Sequence, residues 1–375
     1  MQDPGLSEAS AQVRSVRWGV SHNPQGEGEF VVDGAARPWS ELARSVREPV
    51  RWRPVPVPAA AGICWLIRTY DRSWMGNEMS DTAMTGFDWH RLPEDYGTLY
   101  EQLDAKYAHV YRASAVRLVG LANVRPGQAV IDIGAGTGIS TEAVWAAMAG
   151  QGRVMAIDPS DQMLAQLRAK RSLSGALIRQ GTAADVANLA SEANFVGQTD
   201  AVISNFTYYY TYEAREYLHA AVRSILRPGG RWRFNLTRYL GELRIGGKLY
   251  NEFGATYLTH LSGVAAARGI EVSRTEADED PAQFVDAGVE ARSLSRAGFG
   301  EVAVEAWPLP LSPSEAYRFT IDGFYRYGSR TTFAPELMKV PVEIRVAILE
   351  EALDECRDEI DAGWVPYIAN FSATR

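Results

Sequence analysis

A nine-residue stretch, Val130–Gly138, constrains this chain more than any other part of its sequence. It reads VIDIGAGTG, an apolar β-branched run with one carboxylate, followed by three glycines at alternate positions. Apolar runs of this kind form buried strands of parallel sheets. The glycines allow a sharp turn and leave room for a ligand against the backbone. A helical pattern begins at Ile139, and its N-terminal amides would face the same ligand. The stretch therefore predicts a ligand-binding strand–loop–helix unit.

The spacing of the glycines differs from the dinucleotide fingerprint, which is Gly-x-Gly-x-x-Gly. Gly134, Gly136 and Gly138 give Gly-x-Gly-x-Gly, and Asp132 lies two residues before the first of them. A carboxylate repels a pyrophosphate and attracts a cation. The stretch resembles the first motif of the class I methyltransferases that depend on S-adenosylmethionine (SAM). The resemblance implies that Asp132 and the three glycines bind this sulfonium cofactor.

The second motif of that family is matched by Val154–Asp158, a short apolar strand that ends in a carboxylate 20 residues after Gly138. An acid at the tip of the second strand of a nucleotide-binding sheet can accept hydrogen bonds from ribose hydroxyls. The resemblance implies this role for Asp158, and the alternative is a simple strand-end cap. The segment Gln180–Asp185 resembles the family's adenine-binding loop, which implies contacts from the Thr182 side chain and the Ala183 amide. Thr182 replaces the usual aspartate there, and a hydroxyl makes a weaker bond than a carboxylate.

Three later segments complete the ordered set. Asp200–Phe206 is similar to the family's fourth strand, and this implies that Ser204 lies near the transferred methyl group. Leu226–Phe234 contains the Leu-x-Pro-Gly-Gly pattern, and Leu294–Phe299 resembles the helix before the sixth strand. The resemblance covers roughly residues 94 to 307 and a final strand. It is to the small-molecule type, with a core like that of the ubiquinone-biosynthesis methyltransferases.

The alternation of apolar strands and amphipathic helices predicts an α/β fold, a doubly wound Rossmann-like sheet of seven strands with short right-handed connections. The resemblance implies that the last strand is antiparallel. We expect cap insertions after strands 5 and 6, at about 238–287 and 308–362, where ligands bind. The expected strands are near 129–133, 153–157, 175–179, 199–204, 229–236, 302–304 and 364–372. The expected helices are near 94–110, 114–123, 138–149, 161–171, 212–225, 249–267, 313–326 and 341–361.

Residues 1–90 differ from the methyltransferase-like domain predicted for 91–375. They are rich in proline, arginine and tryptophan and show no sustained periodicity, and 51–58 indicates an extended, polyproline-like chain. We interpret them as an N-terminal extension without a catalytic role, either disordered or accessory. A docking segment and an upstream extension of a reading frame that starts at Met79 are the alternatives.

Composition limits the class of protein. The net charge is −8, whereas a nucleic-acid binder has a basic surface that attracts phosphates. Cys64 and Cys356 are the two cysteines, too few for a disulfide framework or a cysteine metal cluster. The longest apolar run, 59–67, is shorter than a membrane helix requires. We therefore expect a cytoplasmic enzyme with a small-molecule substrate and without nucleic-acid, membrane or metal partners. A homodimer is the candidate oligomeric state.

Catalytic candidates are few, because methyl transfer needs a base only when the nucleophile must lose a proton. His260 is a candidate base, with packing or surface exposure as the alternative. Tyr208 follows the fourth strand and is expected beside the transferred methyl, with rim packing as the alternative; Tyr209 and Tyr210 share this interpretation. An N-terminal helix with Tyr107 and Tyr111 resembles the family helix that covers the SAM methionine. A further aromatic face could wall the substrate or pack in a core; it comprises Tyr317, Phe319, Asp322, Phe324, Tyr325 and Tyr327.

Three functions remain open at this point. The first is transfer of a methyl group from SAM to an O, N or C centre of a small molecule, as in bacterial secondary metabolism. The second is a SAM-binding protein that catalyses a reaction other than methyl transfer, such as a cyclisation. The third is a macromolecule-directed methyltransferase acting on protein or RNA. The fourth strand lacks the Asn-Pro-Pro-Tyr type of motif that holds a flipped base.

Overall fold

The computed structural model describes residues 19–22, 28–32, 35–38, 96–208, 215–236, 242–245, 248–251, 255–272, 284–325, 335–363 and 365–375. Most of the N-terminal extension and the acidic run 276–280 lie outside the described residues. So do Cys64, Tyr209, Tyr210 and Tyr327, and the side chains of Phe324 and Tyr325.

The strands are β1 (Gly19–His22), β2 (Gly28–Val32), β3 (Ala35–Pro38), β4 (Ala129–Ile133), β5 (Arg153–Asp158), β6 (Leu177–Gln180), β7 (Thr199–Ser204), β8 (Leu226–Leu236), β9 (Glu242–Ile245), β10 (Lys248–Asn251), β11 (Phe284–Asp286), β12 (Val302–Pro308) and β13 (Tyr367–Thr374). The helices are α1 (Tyr96–Ala122), α2 (Ile139–Ala147), α3 (Asp161–Ala169), α4 (Val186–Glu192), α5 (Arg215–Ile225), α6 (Ala255–Ala266), α7 (Ala287–Arg296), α8 (Pro313–Thr320) and α9 (Val342–Gly363).

The main sheet has the strand order β3-β2-β1-β12-β13-β8-β7-β4-β5-β6. Strands β4 to β8 are parallel to their neighbours in that set, and β13 is antiparallel to both β8 and β12. The chain runs from β4 outward to β6 and then from β7 outward to β8. The strand order therefore reverses between β4 and β7, and ligands bind beyond the carboxyl ends of strands at such a point. The predicted seven-stranded, doubly wound sheet with an antiparallel last strand is confirmed.

Three N-terminal strands extend this sheet beyond the predicted seven. Strands β1, β2 and β3 form an antiparallel meander, and β1 joins the edge of the core where Val20 pairs with Val302. Strands of four or five residues contain too few alternations to give a period-2 signal, which is why the sequence pattern did not predict them.

Alternate residues of β4 pack on opposite faces of the sheet. Val130 packs with residues of α1 and α2, whereas Ile131 and Ile133 belong to the apolar cluster formed with α4, α5 and α7. Because side chains alternate along a strand, Asp132 lies on the same face as Val130, towards α2.

Two helix predictions were wrong in their bounds. Residues 94–110 and 114–123 were expected as separate helices, but one helix, α1, runs through both, with non-helical torsions only at Tyr107 (φ −113°, ψ 17°). The helix predicted over 249–267 begins at Ala255, because Lys248–Asn251 pairs as a strand with Glu242–Ile245. The Gly-Gly sequence between these two strands is typical of a hairpin, and it outweighed the helical periodicity.

The predicted insertions contribute a separate apolar cluster. Tyr257 and Leu261 of α6 pack with Leu349 and Leu353 of α9, and Tyr317 of α8 joins them. A lid or substrate-pocket role for these helices stays a prediction. None of the helices in the described ranges combines the length and the apolar character needed to cross a membrane.

Candidate functional site

The loop between β4 and α2 is built on three glycines with positive φ. The φ angles are 72° at Gly134, 53° at Gly136 and 97° at Gly138. A Cβ at Gly134 would lie 2.0 Å from Cγ2 of Thr207, so only glycine fits beneath that side chain. A Cβ at Gly136 would meet no atom of the described residues within 4 Å. The loop is therefore closed on the side of β7 and open at Gly136, where a ligand can approach the backbone.

Asp132 is a buried carboxylate with hydrogen-bond partners at only one of its two oxygens. Its Oδ2 accepts hydrogen bonds from Ser140 Oγ at 2.7 Å and from Thr141 Oγ1 at 2.6 Å. Its Oδ1 has no hydrogen-bond partner within the described part of the chain. Burial raises the pKa of this carboxyl to about 6, despite the two hydroxyl donors. An unpaired acceptor in such a place is costly unless a ligand supplies a donor or a positive charge.

Asp158 binds the glycine loop at the end of the neighbouring strand. Its Oδ2 accepts the N–H of Gly136 at 2.9 Å, and its Oδ1 accepts the N–H of Ser160 at 2.9 Å. Burial raises its pKa to about 6, and the nearby charge of Asp132 adds to the increase. A carboxylate has about four lone-pair directions, so Asp158 can hold the loop and still accept from a ligand hydroxyl.

Thr182 and Ala183 begin a short 3₁₀ turn next to Asp158. The Thr182 hydroxyl accepts from the N–H of Ala184 at 3.2 Å and donates to Asp185 Oδ2 at 2.9 Å. The N–H of Gly181 bonds the carbonyl of Asp158 at 3.1 Å, which fixes the turn beside the glycine loop. The structure thus places Thr182 in the predicted neighbourhood, with its side chain used as a helix cap.

The residues after β7 pack against the same loop. Ser204 is buried, and its hydroxyl has no hydrogen-bond partner among the described residues. Phe206 adopts a left-handed conformation (φ 56°), which is strained for a residue with a bulky side chain. The Thr207 hydroxyl donates to the carbonyl of Gly134 at 3.1 Å. The end of β7 and the glycine loop therefore form one wall of the candidate site.

A network of three polar side chains ties this wall to α1, and the sequence analysis missed it. Ser114 Oγ donates to Asn205 Oδ1 at 2.8 Å, and Asn235 Nδ2 donates to Asn205 Oδ1 at 2.8 Å and to Ser114 Oγ at 2.9 Å. Asn235 Oδ1 accepts the N–H of Phe206 at 2.8 Å, which supports its left-handed backbone. Asn205 and Asn235 lie at the carboxyl ends of the adjacent parallel strands β7 and β8, a pattern that the sequence could have indicated.

Helix α1 crosses the carboxyl edge of the sheet and contacts the loop directly. Asp104 accepts a hydrogen bond from the hydroxyl of Thr137, within the glycine loop. One turn later the Tyr107 hydroxyl donates to Asp322 Oδ2 at 2.7 Å. Tyr107 is therefore close to the predicted cofactor loop in the fold, but its polar group binds the second insertion.

Tyr208 is the catalytic candidate that lies deepest. Its hydroxyl bonds His219 Nε2 at 2.6 Å and donates to Glu290, and all three side chains are buried. Its ring packs on Phe234, in the cluster on the side of α5 and α7. Burial lowers the pKa of His219 to about 3 and raises the pKa of Glu290 to about 7. The structure does not bring the Tyr208 hydroxyl together with Asp132 and Asp158, which contact α2 and the glycine loop.

His260 lies on α6 in the cluster of insertion helices. Its Nδ1 is 3.0 Å from Glu355 Oε2 of α9, and both side chains are partly exposed. This contact does not join it to the glycine loop or to the end of β7, and its role as a base stays a prediction. In the ranges that the structure describes, no three His, Cys, Asp or Glu side chains come close enough to hold a metal ion.

Residues 130–230 match the family model described as a methyltransferase domain. This match runs from β4 into β8 and supports the predicted resemblance to class I methyltransferases over that part of the chain. No match to the sequence of a curated protein was found.

The solved structures that resemble this chain have low sequence identity to it. One is a phosphoethanolamine N-methyltransferase of Haemonchus contortus, with 14% identity and a TM-score of 0.42, matched over 75% of this chain and 58% of the other. A cyclopropane synthase of Mycobacterium tuberculosis has 14% identity and a TM-score of 0.42, over 70% and 83%. A geranyl diphosphate methyltransferase has 16% identity and a TM-score of 0.40, over 79% and 95%. The chain thus spans less than two thirds of the first of these proteins, and likenesses this distant say nothing about its substrate.

Proposed function

We propose that this protein is a SAM-dependent methyltransferase that acts on an O, N or C centre of a small molecule. The observation that carries the proposal is Asp132, buried beside a glycine loop with one carboxylate oxygen that no described residue satisfies. A cation with N–H donors fits this position, and an anionic dinucleotide phosphate does not.

The residues of the loop fit the cofactor. Asp132 would hold its positive charge, the open side of Gly136 would admit it to the backbone, and Asp158 would accept from its ribose hydroxyls. Thr182 and the amide of Ala183 would border the adenine, and Ser204 and Tyr107 would lie at the methionine end. When bound, the sulfonium of SAM supplies an electrophilic methyl group. The acceptor would take this methyl group, and the sulfur would leave as the thioether of S-adenosylhomocysteine.

The contribution of the chain is positioning and exclusion of water. Helix α1, held to β7 and β8 by the network of Ser114, Asn205 and Asn235, would cover the carboxyl edge of the sheet. A neutral O–H or N–H acceptor must also release its proton to a base. A small-molecule acceptor, a place in bacterial secondary metabolism and a core of the ubiquinone-biosynthesis type are the finer parts of this proposal.

The test is binding of S-adenosylhomocysteine and turnover of methyl-labelled SAM. We expect Asp132→Ala and Asp158→Ala each to weaken binding more than about tenfold, because losing a hydrogen bond to a charged group costs roughly 1.5–3 kcal/mol. Asp161→Ala is the matched control, because Asp161 is an exposed acid three residues from Asp158. Wild-type affinity in both site variants would contradict the proposed function.

Turnover separates the alternatives. With a metabolite extract as the source of acceptors, label in a small molecule would support the proposal. Label in protein or RNA would support the macromolecule-directed alternative. Tight binding with an unlabelled product that accumulates would support a SAM protein that catalyses a cyclisation or a similar rearrangement.

A further inference from the structure

Two irregular helix segments meet at a single buried carboxylate. Asp322 lies in one turn of π-helix, Ile321–Tyr325, that continues α8, and such turns are frequent at functional sites. Tyr107, the residue with non-helical torsions in α1, donates its hydroxyl to Asp322. Two departures from regular helix geometry therefore face each other through one hydrogen bond, a pattern typical of a site under functional constraint.

The ring of Tyr107, whose hydroxyl bonds this carboxylate, belongs to a group of four aromatic rings. The Tyr107 and Tyr111 rings each meet Phe319 edge to face, with centroids 4.7 and 5.4 Å apart. Phe206 closes the group at 5.0 Å from Tyr111 and 6.2 Å from Phe319. Phe206 is also the left-handed residue after β7, so the ring group reaches the end of the strand that forms the site wall. The face of the Tyr107 ring, beside the carboxylate, favours an organic cation.

A cation of the protein itself already occupies this place. The ammonium of Lys106 is 2.5 Å from Asp322 Oδ2 and 5.2 Å from the centroid of the Tyr107 ring. The Lys106 side chain is 52% exposed, whereas that of Asp322 is 10% exposed. An alkylammonium group therefore fits at Asp322, and it is held there by a flexible chain that can withdraw into solvent.

We propose that Asp322 and the ring of Tyr107 bind an ammonium group of the methyl acceptor, and that Lys106 occupies this place until the acceptor displaces it. The assignment to the acceptor rests on the proposed function. The charge of the cofactor is assigned to Asp132 of β4, which accepts hydrogen bonds from Ser140 and Thr141 of α2. Asp322 instead belongs to the second insertion, with the rings that reach Phe206 beyond β7. The substrate class is a small organic amine that is protonated at neutral pH.

The test uses the full chain and n-butylammonium, which reproduces the lysine side chain beyond its Cα. Binding is measured by ligand-observed NMR, with and without saturating S-adenosylhomocysteine, and n-butanol serves as the uncharged probe. We expect Lys106→Met to bind n-butylammonium at least about fivefold more tightly than wild type, because a competing occupant lowers the apparent affinity in proportion to its population. Lys170→Met is the matched control, because it removes the same charge from the Lys170–Glu142 pair elsewhere.

A second substitution identifies the carboxylate. Asp322→Asn, placed in the Lys106→Met background, should reduce n-butylammonium binding to the level of n-butanol, and Asp322→Glu should restore part of it. Thermal unfolding shows whether each variant is folded. A folded Asp322→Asn variant that still binds the ammonium, or equal binding by the Lys106→Met and Lys170→Met variants, would overturn the assignment.

The measurements with and without S-adenosylhomocysteine distinguish failure of this inference from failure of the proposed function. Ammonium binding that persists with S-adenosylhomocysteine bound supports an acceptor site. Competition between the two ligands would assign Asp322 to the cofactor and overturn the acceptor assignment. If S-adenosylhomocysteine fails to bind the wild type, the proposed function fails and the acceptor assignment with it. In that case, n-butylammonium binding by the Asp322 and Lys106 variants still tests whether Asp322 binds an ammonium group.

Discussion

Asp132 and Asp158 share a property that bears directly on binding. Both are buried, and burial raises the pKa of each to about 6. The free protein therefore holds protons on these carboxyls below about pH 6, where a solvated aspartate would be ionised. Pairing with a cation requires the ionised form, so binding and proton release are coupled.

This coupling predicts the pH dependence of SAM affinity. We expect affinity to be full above about pH 7 and to fall as the pH drops through 6, by at least about tenfold at pH 5 for a group with a pKa of about 6. Calorimetric titration between pH 5 and 8 measures it. The Asp161→Asn control should follow the wild-type profile, whereas Asp132→Asn should bind weakly with a flatter profile. An affinity that does not change between pH 5 and 7.5 would contradict this use of the carboxyls.

The elements that form the site are joined by buried polar contacts rather than by apolar packing alone. Asn235 connects β8 to α1 through Ser114 and to β7 through Asn205 and the amide of Phe206. All of these side chains except that of Phe206 are buried. The Asn235 amide at the end of β8 therefore contributes to the position of α1, together with the bonds of Asn205 with Ser114 and with the carbonyl of Tyr111.

Asn235→Ala tests this contribution. The substitution removes one hydrogen bond each from the buried side chains of Ser114 and Asn205, which stay bonded to each other, and it leaves the amide of Phe206 without its acceptor. Leaving a buried polar group unpaired costs roughly 1–3 kcal/mol. We expect lower stability in urea unfolding and weaker cofactor binding. Asn188→Ala is a control, since Asn188 is exposed on α4 and its side chain is not part of the network. Stability equal to that of this control would show that the network does not fix α1.

At the scale of the whole molecule, the seven-stranded core is complete without the N-terminal strands. Strand β1 adds to the outer edge of β12, and β4, β5, β7 and the glycine loop lie elsewhere in the sheet. Strand β1 covers the edge of β12, whose backbone groups would otherwise be open to pairing with another chain.

Removal of residues 1–78 tests the non-catalytic interpretation of the extension. We expect the affinity for S-adenosylhomocysteine to stay within about twofold, since the described part of the extension joins the sheet at β12 and not at the glycine loop. Solubility should fall, because the deletion exposes the edge of β12. Comparison of the full and shortened chains by calorimetry and light scattering measures both. A large loss of affinity would assign the extension to the site.

Much of the fold was predictable because its signals are local. A strand is indicated by an apolar β-branched run that contains or ends in an acid. The following loop is indicated by Gly134, Gly136 and Gly138, and the next helix begins within a few residues. The bounds of α1 and α6 were less predictable, since helix continuity through Tyr107 and the pairing of β10 with β9 depend on neighbours outside the window.

The sequence by itself determined the strands of the core, the glycine loop and the two acids beside it, because backbone sterics and strand burial act over short stretches of chain. Only the tertiary structure decided that Tyr208 is buried with His219 and Glu290, and that Lys106 meets Asp322. The last pair is separated by 216 residues. Contacts at that separation depend on how helices cross the sheet, and no local pattern of residue types encodes the crossing.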